Sequence, residues 1–592
     1  QKTLLPNKPQ IRYNRFYERN HHWIFDMTYV FILLLTLVFA VYRKSLGLSL
    51  YGDDWLVIAK YWGGYGPGTE YNYWDPRLFI SAYGFQNLTA LLYKIVGNNP
   101  TPYFVANLTF RAFSALGVFL LIKGISGKKI ALLASVFYAV TAVGAETTDW
   151  VYNMNTYLGV FVSLVGLTFL INRKQFKELF LGMLLILLGY GIVPIRLYIL
   201  PITVFGIEYF RSVLEKKNSL IVSFFIGCSF SVLPFLILKI IFPAVSWQRI
   251  NSEQIIQGIS SMLKMINSGR FDFFLLPLTN IGVSILPFGV REFAGFGANI
   301  VGRRDFIIYG TILGTAGGIF LISLLGKYFR AYISAFLLSF FFLFVLKLFT
   351  KYQGEWFLRS FSNFTWTYFG AIFLFAILIS VIEAIRKKNI KLLYLYAVGT
   401  TFLSAFMLPW LYSPLTMFGP IGRYMSGTAV GISILLTLFL FRGFPQSKTL
   451  VRFLKISVFA ILIIINAVAV DKFFNDMLLG RTKQLNEKLF SQIRHSVSEL
   501  PLDPHIFYFE GVPNEIYSQL LRFGLGYHLH LIYQTPYKED NFSSSVNSYP
   551  NLLTEMENRH VSSNNIFAFK WGDGGLVDIT KDVRKTLLRN GY

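Results

Sequence analysis

Long apolar stretches recur along the 592-residue chain, and they constrain its fold more than any other feature. A helix needs about 20 apolar residues to cross a bilayer, and roughly thirteen segments come close to that length. Since a spanning segment must satisfy its backbone polar groups internally, each segment is predicted to be an α-helix. The predicted spans are 23–42, 102–122, 130–146, 152–172, 178–194, 196–211, 219–242, 306–325, 331–349, 367–385, 392–409, 422–441 and 453–470. Because 178–194 and 196–211 are barely separated, twelve or fourteen spans also remain compatible with the sequence.

The composition agrees with a polytopic α-helical membrane protein. Hydrophobic residues make up 54% of the chain and charged residues 15%, whereas soluble domains are about a quarter charged. These values exclude a disordered chain, a collagen-like repeat and a series of soluble domains. A net charge of +24 would suggest nucleic-acid binding in a soluble protein. In a membrane protein, cytoplasmic loops retain Lys and Arg, which explains much of the excess. The single cysteine, Cys228, excludes a disulfide framework.

The loops between the predicted spans alternate in charge. One set is rich in Lys and Arg, whereas the opposite loops at 147–151 and 410–421 contain neither residue. This pattern predicts a cytoplasmic N-terminus and, after thirteen spans, a C-terminus outside a plasma (inner) membrane. We expect the first span to be an uncleaved anchor rather than a signal peptide.

Hydropathy divides the chain into two predicted domains. Residues 1–470 form a transmembrane domain with two long outer loops, 43–101 and 243–305, and the second loop contains a helical apolar pattern from Ile255 to Ile266. Residues 471–592 are predicted to form a small extracytoplasmic α/β domain. It has helical patterns at 477–499 and 514–523 and strand patterns at 505–509 and 527–533.

Two adjacent carboxylates open the first outer loop, in Tyr51-Gly52-Asp53-Asp54-Trp55. Neighbouring acids raise each other's pKa, which suits a general base, with one Asp orienting the other. The alternative is a capping pair at a helix start. The loop continues with glycines and aromatic residues, among them Trp55, Tyr61 and Trp62. This mixture favours a substrate loop, and the alternative is an aromatic belt at the membrane interface.

A second acidic cluster lies in a short loop predicted on the same side. The segment Glu146-Thr147-Thr148-Asp149-Trp150 contains two of the few acidic residues of the chain. We expect Glu146 and Asp149 to share a polar, substrate-binding cavity with Asp53 and Asp54, unless the loop is simply a solvated turn.

Three arginines lie at or near the outer ends of predicted spans. They are Arg111, Arg196 and Arg423, which is followed by Tyr424. An arginine at membrane depth is costly, so it is usually paired with an anion, and its planar guanidinium suits a lipid phosphate. Snorkelling to lipid headgroups is the alternative, and for Arg196 both readings stay open.

Nucleotide and metal motifs are missing from the sequence. Gly127-Lys128 and Gly326-Lys327 lack P-loop spacing, and no H-E-x-x-H occurs. His528 and His530 alternate on the predicted strand, as surface or core residues do. The acidic clusters could hold a divalent cation, but no ligand spacing requires one, so no cofactor is assigned.

In order and sidedness, these motifs resemble the GT-C superfamily of membrane glycosyltransferases, which use polyprenyl-phosphate-linked sugars. Asp53-Asp54 stands where that superfamily has an acidic pair after the first span, and Glu146 and Asp149 match a second acidic position. Pro76 through Gly97, leading to Arg111, looks like its amphipathic loop helices, and Arg423-Tyr424 is similar to an Arg-Tyr that opens a late span. The chain has Asp-Asp-Trp rather than Asp-Glu and lacks Trp-Trp-Asp, which argues against en bloc glycan transfer to asparagine.

The resemblance implies a hexosyl- or pentosyltransferase that works in the cell envelope. It would move a single sugar from a polyprenyl-phosphate donor to a hydroxyl of a glycan, lipid or protein on the outer face of the membrane. Asp53 is the implied general base, with Asp54 orienting it or the acceptor. The alternative is a transporter or flippase of polyprenyl-linked glycans, which would have an internal repeat and no chemistry.

Overall fold

The computed structural model describes residues 27–59, 87–215, 252–268, 275–285, 287, 361–412, 421–441, 449–501, 503–522, 524–535 and 543–591. Three of the predicted spans, 219–242, 306–325 and 331–349, lie outside these residues. Within the described residues, six helices are long and apolar enough to cross a membrane. They are Met27–Gly47, Thr101–Ser126, Val151–Asn172, Phe369–Arg386, Arg423–Phe441 and Arg452–Gly480.

Shorter helices complete the membrane region. They are Lys128–Val140, Phe176–Ile192, Leu200–Glu215, Leu276–Ile285, Ile390–Leu403 and Met407–Tyr412. The uncertain pair of predicted spans thus forms two helices, with the short helix Pro194–Leu197 between them. The loop patterns form the helices Asn87–Val96 and Ser252–Asn267, the second of which carries the predicted apolar pattern.

Close backbone contact holds Met154–Asn172 against Phe176–Ile192. A Cβ atom on Gly166 would lie 2.8 Å from the carbonyl oxygen of Gly182. Small residues at a helix crossing allow such an approach, which gains van der Waals contact where lipid gives no hydrophobic driving force. Helix Ser426–Phe441 is buried along almost its whole length, so it lies at the centre of the bundle.

A small sheet with flanking helices follows the last long helix. Strands β1 (Ile506–Glu510), β2 (Ser544–Val546), β3 (Ile566–Gly572) and β4 (Gly575–Asp578) are arranged in the order β2-β1-β3-β4. β1 is parallel to β2 and β3, and β4 is antiparallel to β3. The accompanying helices are Lys483–Ser496, Asn514–Ile516, Tyr517–Arg522 (a π-helix), Leu525–Tyr533, Tyr549–Arg559 and Thr580–Arg589. The strand predicted at 505–509 is confirmed.

The strand predicted at 527–533 is wrong, because these residues belong to the helix Leu525–Tyr533. Gly524, with φ of +82°, precedes the first turn, and Leu525, His528 and Leu529 are buried on one helical face. These three residues recur at the helical spacing of three and four, and Gly526 and His530 beside them are also buried. The aromatic and β-branched content of the segment indicated a strand, and tertiary packing overrode it.

Candidate active site

The acidic pair of the first loop lies in a tight turn before a short helix. Gly52 has φ of +57° and ψ of −120°, a conformation that glycine adopts readily, and helix Asp53–Ile58 begins directly after it. Both carboxylates therefore lie in the first helical turn, where the helix dipole favours negative charge. The N-cap position is Gly52, so the pair does not cap the helix in the way the alternative reading proposed.

Asp54 connects the first loop to the second. Its carboxylate is fully buried; Oδ1 accepts a hydrogen bond from the backbone N–H of Tyr152 at 2.8 Å, and Oδ2 accepts one from Tyr51 at 3.2 Å. Burial raises the pKa of Asp54 to about 7, although the two amides and Arg481 act in the opposite direction. Asp53 is only partly buried. Asp54 is thus held rigidly, and Asp53 is the more accessible carboxylate.

Asp149 forms a buried ion pair with Arg481, a residue that the sequence analysis did not single out. Both side chains are almost completely inaccessible, and the guanidinium also lies 4.3 Å from the ring centre of Tyr51. Burial raises the pKa of Asp149 to about 6 against the opposing effect of Arg481. Arg481 was missed because the last predicted span ended at 470, whereas its helix continues to Gly480. An arginine directly after that helix would have been classed with the other end-of-span arginines.

Glu146 positions the segment that carries Arg423. Its Oε2 accepts the backbone N–H of Arg423 at 2.7 Å, and its own N–H donates to the carbonyl of Ile421 at 2.9 Å. The guanidinium of Arg423 lies 3.8 Å from the ring centre of Trp150 and 4.0 Å from Glu146 Oε1. Since the side chain remains about one-fifth exposed, its charge is available to a ligand.

Arg196 supports Arg423 from behind. Its Nη1 donates to the carbonyl oxygen of Arg423, and its Nη2 donates to Asn153 Oδ1 at 3.3 Å. The guanidinium also lies 4.8 Å from the ring centre of Tyr424. Arg196 is buried, so within the described residues its contacts are those of a residue that positions Arg423.

Arg111 lies apart from these residues, inside the helix bundle. Its Nη1 donates to the hydroxyl of Tyr157 at 2.6 Å and its Nη2 to the carbonyl of Thr141 at 2.7 Å. The guanidinium also lies 4.2 Å from the ring centre of Tyr42, and the residue is 1% exposed. These contacts join three helices and leave the guanidinium enclosed by protein.

Trp55 faces the C-terminal domain. Its indole stacks on His528 with ring centres 3.7 Å apart, and Nε1 donates to the carbonyl of Leu50 at 3.1 Å. Tyr61 and Trp62, which were predicted to accompany it, lie outside the described residues.

The predicted acids and one predicted arginine therefore meet in one acid–arginine cluster. It consists of Tyr51, Asp53, Asp54, Glu146, Asp149, Trp150, Arg423 and Arg481. Tyr51 joins its two halves, because its ring packs edge-on against Trp150 at 4.9 Å and beneath Arg481. The cluster combines a buried, fixed interior with a partly exposed carboxylate and a partly exposed guanidinium.

The described carboxylates do not fit a divalent-cation site. Asp54 uses both oxygens on backbone amides, and Asp149 is paired with Arg481. In the part of the chain that the structure describes, no three His, Cys, Asp or Glu side chains come together as a metal site.

Comparison with known proteins gives similarity to solved structures only. No protein-family model and no curated protein matches the sequence. The archaeal oligosaccharyltransferase AglB from Archaeoglobus fulgidus, in complex with an inhibitory peptide and a dolichol-phosphate, is similar with a TM-score of 0.46 and 10% identity. The match covers 92% of this chain and 69% of that one.

Two further structures of the Archaeoglobus fulgidus oligosaccharyltransferase are similar at 13% identity and 88% coverage of this chain. The apo form has a TM-score of 0.43 over 64% of its length, and the complex with Zn and sulfate has 0.36 over 62%. At these identities the similarity concerns the fold alone. With TM-scores under 0.5, it carries nothing about activity, donor or acceptor.

Proposed function

We propose that the chain is a membrane glycosyltransferase of GT-C type. It transfers a single sugar, a hexose or a pentose, from a polyprenyl-phosphate donor to a hydroxyl of a cell-surface glycan, lipid or protein. The observation that carries the proposal is the acid–arginine cluster, in which Asp53 and Arg423 are partly exposed while Asp149 and Arg481 are buried.

Each exposed group has a task in this reaction. Asp53 accepts the proton of the acceptor hydroxyl, which then attacks the anomeric carbon as the bond to the donor phosphate breaks. Arg423 stabilises the charge that develops on the departing phosphate, because a fixed cation in a poorly solvated site needs no reorganisation. Polyprenyl phosphate is already a good leaving group, so no strong acid is needed.

The buried groups act through these two. Asp54 fixes the turn that presents Asp53, and the Asp149–Arg481 pair holds Tyr51 beside it. Glu146, Arg196 and Tyr424 position Arg423. A rigid supporting layer of this kind is what keeps reacting groups within productive geometry.

The proposal includes the membrane topology read from the charge of the loops. Thirteen spans would place the N-terminus in the cytoplasm, and the cluster and the C-terminal domain on the outer face of the plasma membrane. A donor loaded inside and flipped outward would then meet the cluster at the membrane surface, which fits the missing nucleotide motif.

Replacement of Asp53 tests the proposal directly. Asp53→Asn should lower the turnover of a polyprenyl-phosphate sugar by ~10²–10⁴-fold, since a positioned general base contributes about that much. Asp582→Asn is the matched control and should retain full turnover, because Asp582 is exposed on helix Thr580–Arg589. Undiminished turnover in Asp53→Asn, with normal protein levels, would refute the base.

Arg423→Ala tests the donor role separately from the role of the base. It should lower kcat/KM for the donor, because Arg423 stabilises the charge that develops on the departing phosphate. Donor consumption by the wild type distinguishes an enzyme from a transporter. The wild type should consume donor in detergent without any gradient. A flippase would show no consumption under these conditions. Unchanged kcat/KM for the donor in Arg423→Ala would refute the phosphate role of that residue.

A further inference from the structure

A cavity of about 610 Å³ lies between the first loop and the C-terminal domain. It is separate from the acid–arginine cluster, yet Trp55, which lines it, directly follows Asp53 and Asp54 in the same short helix. Its volume falls within the usual range of about 300–1,000 Å³ for small-molecule sites. A ligand in this cavity would therefore lie beside the turn that presents Asp53.

One wall of the cavity is a single face of helix Lys483–Ser496. The face contributes residues at the helical spacing of three and four, which are Lys483, Asn486, Glu487, Phe490, Ser491, Arg494 and His495. Lys483 Nζ donates to Asn99 Oδ1 at 3.2 Å and so closes the cavity against the turn that ends the first loop. Asn98 and Asn99 line that side.

The floor of the cavity combines aromatic rings with unpaired polar atoms. Phe490 packs 4.0 Å from the ring centre of His528, which stacks on Trp55. His528 is 4% exposed, and burial lowers its pKa to about 3, so its ring is neutral. Neither His528 Nδ1 nor Asn486 Oδ1 has a hydrogen-bond partner among the described residues. Buried polar atoms are usually paired, so these atoms indicate a polar ligand.

The charges of the lining select among polar ligands. Lys483 and Arg494 are the Lys and Arg side chains of the described lining, and Glu487 is its one carboxylate. Arg494 is exposed. Amides, a hydroxyl and a neutral imidazole donate and accept as sugar hydroxyls require, and the cationic excess favours an acidic group on the sugar.

We propose that this cavity binds an anionic saccharide, carrying a carboxylate or a phosphate, as the acceptor of the transfer reaction. That the saccharide binds here is inferred from the cavity alone. That it is the acceptor of the reaction rests on the proposed function. Arg494 and Lys483 hold the acidic group, Asn486 and His528 bind hydroxyls, and the acceptor hydroxyl extends past Trp55 towards Asp53.

Binding is measured on the full chain in nanodiscs of neutral phosphatidylcholine, without donor. The probes are trigalacturonate, its neutral methyl ester and glucose 6-phosphate, followed by tryptophan fluorescence and by calorimetry. We expect at least one anionic probe to bind at least ten-fold more tightly than the methyl ester. Preference for trigalacturonate identifies a carboxylate ligand, and preference for glucose 6-phosphate identifies a phosphate ligand.

Paired variants locate the binding. The double variant Lys483→Gln/Arg494→Gln should bind the anionic probe at least ten-fold more weakly and bind the methyl ester as the wild type does. Lys488→Gln is the control, because Lys488 lies on the same helix but donates to the carbonyl of Gly574 at 3.0 Å. Asn486→Leu should weaken charged and neutral probes alike, which separates hydroxyl recognition from charge.

Three results with the probes and variants alone would overturn the inference. They are equal binding of charged and neutral probes, no binding of either anionic probe, and binding that the paired variant leaves intact. If added phosphatidylglycerol nanodiscs abolish probe binding, Lys483 and Arg494 would be assigned to lipid headgroups instead. That result would also overturn the inference. If an anionic probe binds but the protein turns over no donor, the binding site is supported and the proposed function is refuted. If the protein turns over donor but binds no anionic probe, the proposed function is supported and the binding site is refuted.

Discussion

At the scale of single residues, the buried pair of Asp149 and Arg481 is the most consequential contact of the cluster. Removing one partner of a buried ion pair leaves an unpaired charge, which costs about 3–5 kcal/mol of stability. Arg481→Gln should therefore lower the thermal midpoint of the detergent-purified protein strongly and reduce sugar transfer. Thermal unfolding and donor turnover measure the two effects.

The double variant separates charge from position. In Asp149→Asn/Arg481→Gln neither charge remains, so we expect most of the stability to return while turnover stays low, because Tyr51 has lost its cation. If the losses of the two single variants simply added in the double variant, the pair would not be coupled.

Asp54 gives stability a defined dependence on pH. Its pKa is raised by burial to about 7, whereas an unfolded Asp titrates near 3.9. Between these values the folded state binds more protons than the unfolded state, so stability is highest below about pH 4 and falls as the pH rises towards 7. Thermal midpoints at pH 5 and pH 8 should therefore differ less in Asp54→Asn than in the wild type. Equal differences would contradict the assignment, since comparing variants cancels the other titrating groups.

The sequence predicted which residues form the cluster better than it predicted the contacts between them. Acidic residues are scarce in this chain and therefore conspicuous, so the four carboxylates of the cluster could be grouped from the sequence alone. Pairing of Asp149 with Arg481 could not be predicted, because it joins positions 332 residues apart. Hydropathy also cannot say whether an arginine at the end of a span faces a ligand or, like Arg111, the interior.

At the scale of elements, two glycines set how the C-terminal domain meets the acidic turn. A Cβ atom on Gly524 would lie 2.6 Å from the carbonyl oxygen of Gly52, and the φ of +82° at Gly524 is itself strained for any side chain. Gly524→Ala should therefore displace helix Leu525–Tyr533 from the turn and lower both transfer and stability.

Gly511→Ala supplies the matched control for that prediction. Gly511 has a φ of +68°, but a Cβ atom there meets nothing within 4 Å. Alanine at this position carries the cost of the left-handed backbone conformation, about 1–2 kcal/mol, without the clash. Thermal midpoints and turnover are measured for Gly524→Ala and Gly511→Ala, and we expect the larger losses in Gly524→Ala. Equal losses in the two variants would show that the contact with Gly52 is unimportant.

Elements were predictable where one local signal dominated. The apolar runs predicted spans at 102–122 and 152–172, close to the helices at 101–126 and 151–172, because length and hydropathy suffice there. Leu525–Tyr533 was misread because its residue types favour a strand, while the burial that decides it comes from Trp55 and Phe490, both distant in sequence.

At the scale of the whole molecule, four distant segments build one cluster. The turn at 51–54, the loop at 146–152, the start of helix Arg423–Phe441 and the residue after Gly480 meet through Tyr51 and Trp150. This arrangement requires the corresponding ends of the helices to lie on the same side of the bundle, as the alternation of loop charge predicts.

Labelling of single cysteines tests that sidedness. In a Cys228→Ser background, Lys585→Cys on the C-terminal helix and Lys174→Cys in the basic loop place one exposed thiol each. A maleimide that cannot cross membranes should label Lys585→Cys on intact cells and Lys174→Cys only after permeabilisation, because the basic loop is predicted to be cytoplasmic. Labelling of both sites from outside, or of neither, would contradict the topology. Failure of Lys585→Cys to label from outside would also place the cluster away from a donor that has been flipped outward.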